Sequence, residues 1–161
     1  MKKRVYIETS VISYLTARPS RDIMQVARQA ATEQWWREHR LRCETFVSEL
    51  VDFEIEQGDD DASRRRHEAI AAMTRAPITS DVGVLAKMLF RSHALPSSAE
   101  DDAFHVALAS VHEMDILLTW NCKHIANVIM MPKILATIQK AGFEPPMLTT
   151  PANLLESLGE S

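Results

Sequence analysis

The chain has only two cysteines, Cys43 and Cys122, far apart and outside any C-x-x-C pair, which excludes a disulfide framework. Both read as free thiols of a reducing compartment, and without a cysteine pair a zinc site has little support. Long apolar runs are missing too. Behind the basic start Met1-Lys2-Lys3-Arg4, the stretch Val5-Tyr6-Ile7 is stopped at once by Glu8. No segment approaches the roughly 18 apolar residues of a membrane helix, so the expectation is a cytoplasmic protein with no signal peptide and no membrane contact. An excess of positive charge is also lacking. With a formal net charge of −4 and a pI of about 5.9, bulk electrostatics alone does not hold this chain on nucleic acid. A metal-dependent nuclease stays open, because such a site concentrates carboxylates. Repeats, low-complexity tracts and linkers are absent as well. A length of 161 residues with 46% hydrophobic and 25% charged composition fits one domain over 1–161, large enough for a core without staples.

Short apolar segments alternate with helical patterns. A buried strand is expected over Arg4–Ile7, running straight into a helix from Thr9 or Ser10 to the break at Arg18-Pro19-Ser20. A longer helix to about Arg40 carries Ile23, Val26, Ala27, Ala30, Ala31 and Trp35 at helical spacing. A strand over 43–47 leads to Ser48 as a helix cap, with Gly58 as the stop. A helix over 60–74 carries Arg64-Arg65-Arg66, and a brief strand over 77–79 precedes a helix capped by Ser80 and reaching about His93. Ser97 and Glu100 make a capping-box pattern for a helix to about Glu113, and 115–119 reads as a central strand. A helix over 132–141 stops at Gly142, Met147–Thr149 reads as an edge strand, and Pro151 opens a last short helix. This alternation implies an α/β fold, a three-layer α/β/α sandwich around a central parallel sheet.

In such sheets sites form beyond the carboxyl ends of strands, which directs attention to Glu8 and Asn121. Glu8 either points into a cleft there or merely favours the helix start electrostatically. Of four acids in 48–56, Glu49, Asp52 and Glu56 share one helix face, whereas Glu54 points with Leu50 and Val51. A carboxylate on a buried face needs a metal or a basic partner, so Glu54 is the functional candidate. Glu100-Asp101-Asp102 opens a largely apolar helix, where acids complement the helix dipole. Asp101 lies on the side of His105 and His112, while Asp102 lies nearer the buried margin and is the better ligand candidate. Asn121 offers a carbonyl oxygen to a hard cation or closes a local turn. The spacing of His105, His112 and His124 fits no standard zinc pattern. His124 reads as a phosphate contact or a structural histidine, and Trp35-Trp36 as core or dimer surface. Arg64 to Arg66 read as a solvated face unless they border the acids.

Four segments resemble PIN domains: Tyr6-Ile7-Glu8-Thr9-Ser10-Val11, then 47–55, then Asp102-Ala103-Phe104-His105-Val106-Ala107, then 117–125 with Thr119-Trp120-Asn121. The likeness spans roughly residues 4 to 157 with the four in order. It implies a Mg²⁺- or Mn²⁺-dependent ribonuclease of the VapC-like kind, a toxin blocked by a cognate antitoxin and forming a homodimer. The resemblance makes Glu8, Glu54 and Asp102 metal ligands, Asn121 a weaker one, and Thr9, Ser10 and Thr119 groups that orient water or phosphate. Glu8 and Asn121 stand where the family often has Asp, which leaves three ionised ligands rather than four. A catalytically weak PIN-like module that binds RNA or protein is the alternative. A phosphotransfer receiver domain fits poorly, since Glu8-Thr9 supplies no acidic pair.

Overall fold

The computed structural model describes residues 1–159; the last two residues of the expected 1–161 domain lie outside the described residues. Five strands form one all-parallel sheet: β1 (Arg4–Ile7), β2 (Glu44–Ser48), β3 (Thr74–Ala76), β4 (Ile116–Leu118) and β5 (Met147–Thr149), in the order β3-β2-β1-β4-β5. Their apolar runs suit a sheet covered on both faces: Val5, Tyr6 and Ile7 of β1 and all of β4 are buried. The first strand of the chain is thus the middle of the sheet. Tyr6 pairs with Phe46 on one side and with Leu117 on the other.

The covering helices are α1 (Thr9–Thr16), α2 (Ile23–Glu38), α3 (Glu49–Ile55), α4 (Asp60–Ile70), α5 (Ser80–Arg91), α6 (Glu100–Val111), α7 (Met131–Lys140) and α8 (Pro151–Gly159). One group packs α1 against α2, α3 and α4, with α8 against α2; another packs α5 against α6 and α7. The result is the expected three-layer α/β/α architecture around one apolar core. Among the described residues no helix is long and apolar enough to cross a membrane.

Helix starts follow capping chemistry. Asp22, Ser48 and Asp59 accept the amides of Gln25, Val51 and Ala62 at 3.0, 3.4 and 2.9 Å. Thr79, not Ser80, caps α5 through the Val82 amide. The Ser97/Glu100 box does not form; α6 starts after Ala99 without a side-chain cap and relies on three acids in its first turn. The third strand also precedes its expected place at 77–79. Pro77 has no N–H for the ladder, whereas Arg75 is clamped by both Asp52 oxygens at 3.1 and 2.8 Å. α4 accordingly ends at Ile70. The largest departure is α2, where Ile23 is 82%, Met24 65% and Val26 43% exposed. Beyond this first turn the helix is covered by α1, α8 and Trp120, and Thr32 and Trp35 are its buried residues. Both cysteines are free thiols.

Candidate active site at the sheet switch point

Connections from β1 lead to β2 on one side, while β4 arrives on the other, so the β1–β4 pair is where strand order reverses. A crevice opens at the carboxyl ends of strands at such a point. Glu8 and Thr119 lie there, one residue past β1 and β4. Glu8 is only 6% exposed, and its amide donates to the Leu118 carbonyl at 3.0 Å.

One oxygen of Glu8 carries its side-chain hydrogen bonds among the described residues. Oε2 accepts from the Ser10 amide at 3.2 Å, from the Ser10 hydroxyl, and from the Thr119 hydroxyl at 2.7 Å. Ser10 Oγ accepts the Trp120 amide at 2.8 Å and Thr119 Oγ1 the Asn121 amide at 2.9 Å. Glu8 therefore joins the start of α1 to the end of β4. Its Oε1 has no protein partner among the described residues.

Glu54 is built the same way. On α3 it points inward, as its spacing from Leu50 and Val51 requires, and Oε1 accepts from Thr9 Oγ1 at 2.7 Å and from His105 Nε2 at 2.5 Å. Oε2 has no protein partner among the described residues. His105 is fully buried, with Nδ1 2.7 Å from the Tyr6 hydroxyl, which lies 2.8 Å from Ser48 Oγ. Oxygen or nitrogen atoms of Glu8, Glu54 and His105 all lie within 4.8 Å of one another.

The other candidates sit one step outward. Asp102 Oδ2 is 2.7 Å from His124 Nδ1, and Asn121 Oδ1 accepts the His124 amide at 3.0 Å. Asn121 thus closes a local turn. A recess of about 410 Å³ is lined by Glu54, Ser98, Ala99, Glu100, Asp101 and Asp102. Arg64 to Arg66 are occupied elsewhere: Arg64 with Asp61 and Glu68, Arg65 with Asp61, and Arg66 with the carbonyls of Ile55 and Gln57.

Charge follows this geometry. Burial pushes Glu54 up, but the His105 bond and charge, with Thr9, bring it below the ordinary carboxylate value. Burial pulls His105 down, yet the Glu54 bond and the charges of Glu8, Glu54 and Asp102 leave it raised. Asp101 is raised by burial and by Glu54 beside it. These shifts predict a stability window for the protein held in chelator. The raised His105 contributes stability that is complete below its ordinary 6.5 and lost as pH rises through its folded value. The lowered Glu54 contributes above its ordinary 4.5 and fades as pH falls through its folded value. Melting temperature in EDTA should therefore peak between about 4.5 and 6.5, and His105→Gln should flatten the alkaline limb. An alkaline limb identical in both proteins contradicts the pair.

Two carboxylates, each with one oxygen pinned by donors and one bare, suit a hard divalent cation, which takes oxygen ligands. Sequence reasoning weighed His105 only as a zinc ligand and set it aside, and it passed over Tyr6. The signal was present: a histidine among Ala103, Val106 and Ala107 on a buried helix face needs a partner, by the argument that selected Glu54.

No protein-family model matches the sequence, and no curated protein matches it either. Among solved structures, a chain of VapBC2 from Rickettsia felis, bound to a DNA fragment from their promoter, superposes with a TM-score of 0.53 at 10% identity. The match covers 91% of this chain and 98% of that one. At this identity the likeness is one of fold, and it agrees with the PIN-like three-layer architecture.

Proposed function

We propose that the chain is a divalent-metal-dependent endoribonuclease that hydrolyses RNA phosphodiester bonds, the toxin of a toxin–antitoxin pair in the VapC-like manner. One observation carries the reading: Glu8 and Glu54 meet at the sheet's switch point, each with one oxygen saturated by fixed donors and one bare. Two buried or half-buried negative charges held that close favour a cation between them. The PIN resemblance of the four motifs and the shared fold support the same assignment.

Glu8 Oε1 and Glu54 Oε2 would hold Mg²⁺ or Mn²⁺, with Asp102 completing the set from the recess. A cation bound there lowers the pKa of a coordinated water and neutralises charge developing on phosphate during in-line attack. Thr9, Ser10 and Thr119 fix the two carboxylates through hydroxyl donors, so the free oxygens need little rearrangement. His124 holds Asp102 and, through its own amide, Asn121. The antitoxin, a homodimeric state and a cytoplasmic setting belong to the same proposal.

Structured RNA incubated with Mg²⁺ or Mn²⁺ should be cut by the wild type and about 10²-fold more slowly by Asp102→Asn. Equal cleavage by both, or by neither with either metal, refutes the assignment. One observation favours a second reading, an RNA-binding module that does not cut: Asn121 has its side-chain oxygen committed to His124. RNA binding that survives EDTA and yields no products supports that reading.

A further inference from the structure

His105 has both ring nitrogens engaged and no exposed surface. An ionised carboxylate only accepts, so the proton between Nε2 and Glu54 Oε1, 2.5 Å apart, sits on the ring. Behind the ring, the Tyr6 hydroxyl both donates and accepts. It can therefore serve Nδ1 at 2.7 Å whether the ring is neutral or charged. Its other neighbour, Ser48 Oγ at 2.8 Å, is fixed by capping α3 through the Val51 amide at 3.4 Å. The hydrogen-bonded line thus leaves β2 at its last residue Ser48, the cap of α3, crosses β1 at Tyr6 and α6 at His105, and reaches α3 at Glu54. It is a closed circuit around one short helix, with members from three other parts of the sequence held in register by the sheet.

We propose that His105 is the positioning residue for Glu54 and not itself a metal ligand. With Thr9 it saturates Oε1, so that only Oε2 faces a divalent cation, while Tyr6 and Ser48 keep the ring from turning. This rests on the metal-site reading of Glu8 and Glu54 given above. The ring lies near enough to both carboxylates to complete a three-ligand set. Yet ligation by Nε2 removes the donor that holds Glu54. Ligation by Nδ1 breaks the bond to a buried phenol. Either strips one of two hydrogen bonds from a group inside the fold, leaving Glu54 Oε1 with Thr9 alone or the Tyr6 hydroxyl with Ser48 alone. Outer partners of this kind orient the ligating group, and their loss typically lowers metal affinity about 10–100-fold.

Mn²⁺ binding to the full chain, followed by the spin-resonance signal of free Mn²⁺, tests this with Tyr6→Phe, His105→Gln and His105→Leu. Removing the ring in His105→Leu should weaken Mn²⁺ binding about 10–100-fold, and Tyr6→Phe, with His105 and Glu54 intact, about three- to tenfold. His105→Gln keeps an N–H near the Nε2 position and should stay within about threefold of wild type. Spin-echo modulation of the wild-type complex should show no directly bonded nitrogen. A nitrogen coupling there, or an unchanged affinity in Tyr6→Phe and His105→Leu, overturns the proposal. Should His105→Leu fail to fold, the isosteric Tyr6→Phe decides. A purely structural hydroxyl would lower the melting temperature of Tyr6→Phe and leave its Mn²⁺ affinity alone, which also counts against it. RNA cleavage measured in parallel separates the two ideas. Wild type that binds Mn²⁺ in the expected pattern but cuts no RNA refutes the nuclease reading alone. Cleaving wild type with variants of unchanged Mn²⁺ affinity refutes the positioning role alone. Wild type without Mn²⁺ binding refutes both.

Discussion

Glu8→Gln is expected to lower Mn²⁺-supported RNA cleavage by about 10²–10³-fold, equivalent to roughly 3–4 kcal/mol of lost transition-state stabilisation. In chelator, the same variant should melt at the wild-type temperature or above it. Both follow from one geometry. Glutamine preserves the shape and the oxygen that accepts from Ser10 and Thr119. It removes a negative charge that is 6% exposed and, among the described residues, has hydrogen bonds but no ion-pair partner. A buried charge held for a ligand destabilises the protein without it, so loss of function and gain of stability should coincide. Glu54→Gln provides the contrast. There His105 loses its charged partner inside the core, so melting temperature should fall together with activity. Thermal melts in EDTA beside single-turnover cleavage assays separate these cases. An unchanged cleavage rate in Glu8→Gln removes Glu8 from the site.

Trp120→Ala should cost about 3–5 kcal/mol and lower the melting temperature by on the order of 10 °C or more. Trp120 is 7% exposed and links three elements. Its amide donates to Ser10 Oγ at the start of α1, its indole N–H to Thr32 Oγ1 on α2 at 2.8 Å, and its ring centroid lies 5.8 Å from that of Tyr14. The guanidinium of Arg28 sits 5.2 Å above the same ring. Truncation opens a large void between α1 and α2, where the ring meets Tyr14, Arg28 and Thr32. Trp120→Phe fills most of that volume and loses only the bond to Thr32, whose hydroxyl still donates to the Arg28 carbonyl at 2.7 Å. It should cost about 1 kcal/mol. Chemical denaturation gives both values, and equal stability of Trp120→Ala and wild type contradicts the anchoring role.

The sheet was legible in the sequence because its strands are short and its two central ones carry apolar runs. Val-Tyr-Ile and Ile-Leu-Leu need covering on both faces, and that requirement dictates the layers. The strand-end rule then found Glu8, and helical spacing separated Glu54 from three neighbouring acids, as the structure shows in its inward bonds to Thr9 and His105. Local reasoning failed where tertiary contacts decide. Arg75 belongs to a strand because Asp52 grips it from α3. The apolar start of α2 reads as core but is covered by no described element. His105 and Tyr6 escaped because each looks ordinary alone, a histidine in a helix and a tyrosine in a strand. Only their separation of 99 residues, closed by the fold to 2.7 Å, makes them a unit. The strand-end rule pointed to Asn121 and the resemblance weighed most for Asp102, and it is His124 that joins them.

The position of the first strand in the middle of the sheet has a consequence for synthesis. β1 emerges from the ribosome well before β4 yet pairs with it, and Glu8 bonds Thr119 across 111 residues. At roughly 5–20 residues per second, one edge of β1 waits for several seconds without its neighbour. Both inner acids, Glu8 and Glu54, are already present in that nascent chain, while the hydroxyl of Thr119 is not. On the proposed reading, the site stays unassembled until β4 has been made and docked, so cutting is expected only once that strand is in place. A ribosome-arrested chain ending before residue 116 should therefore carry the two acids yet leave RNA intact.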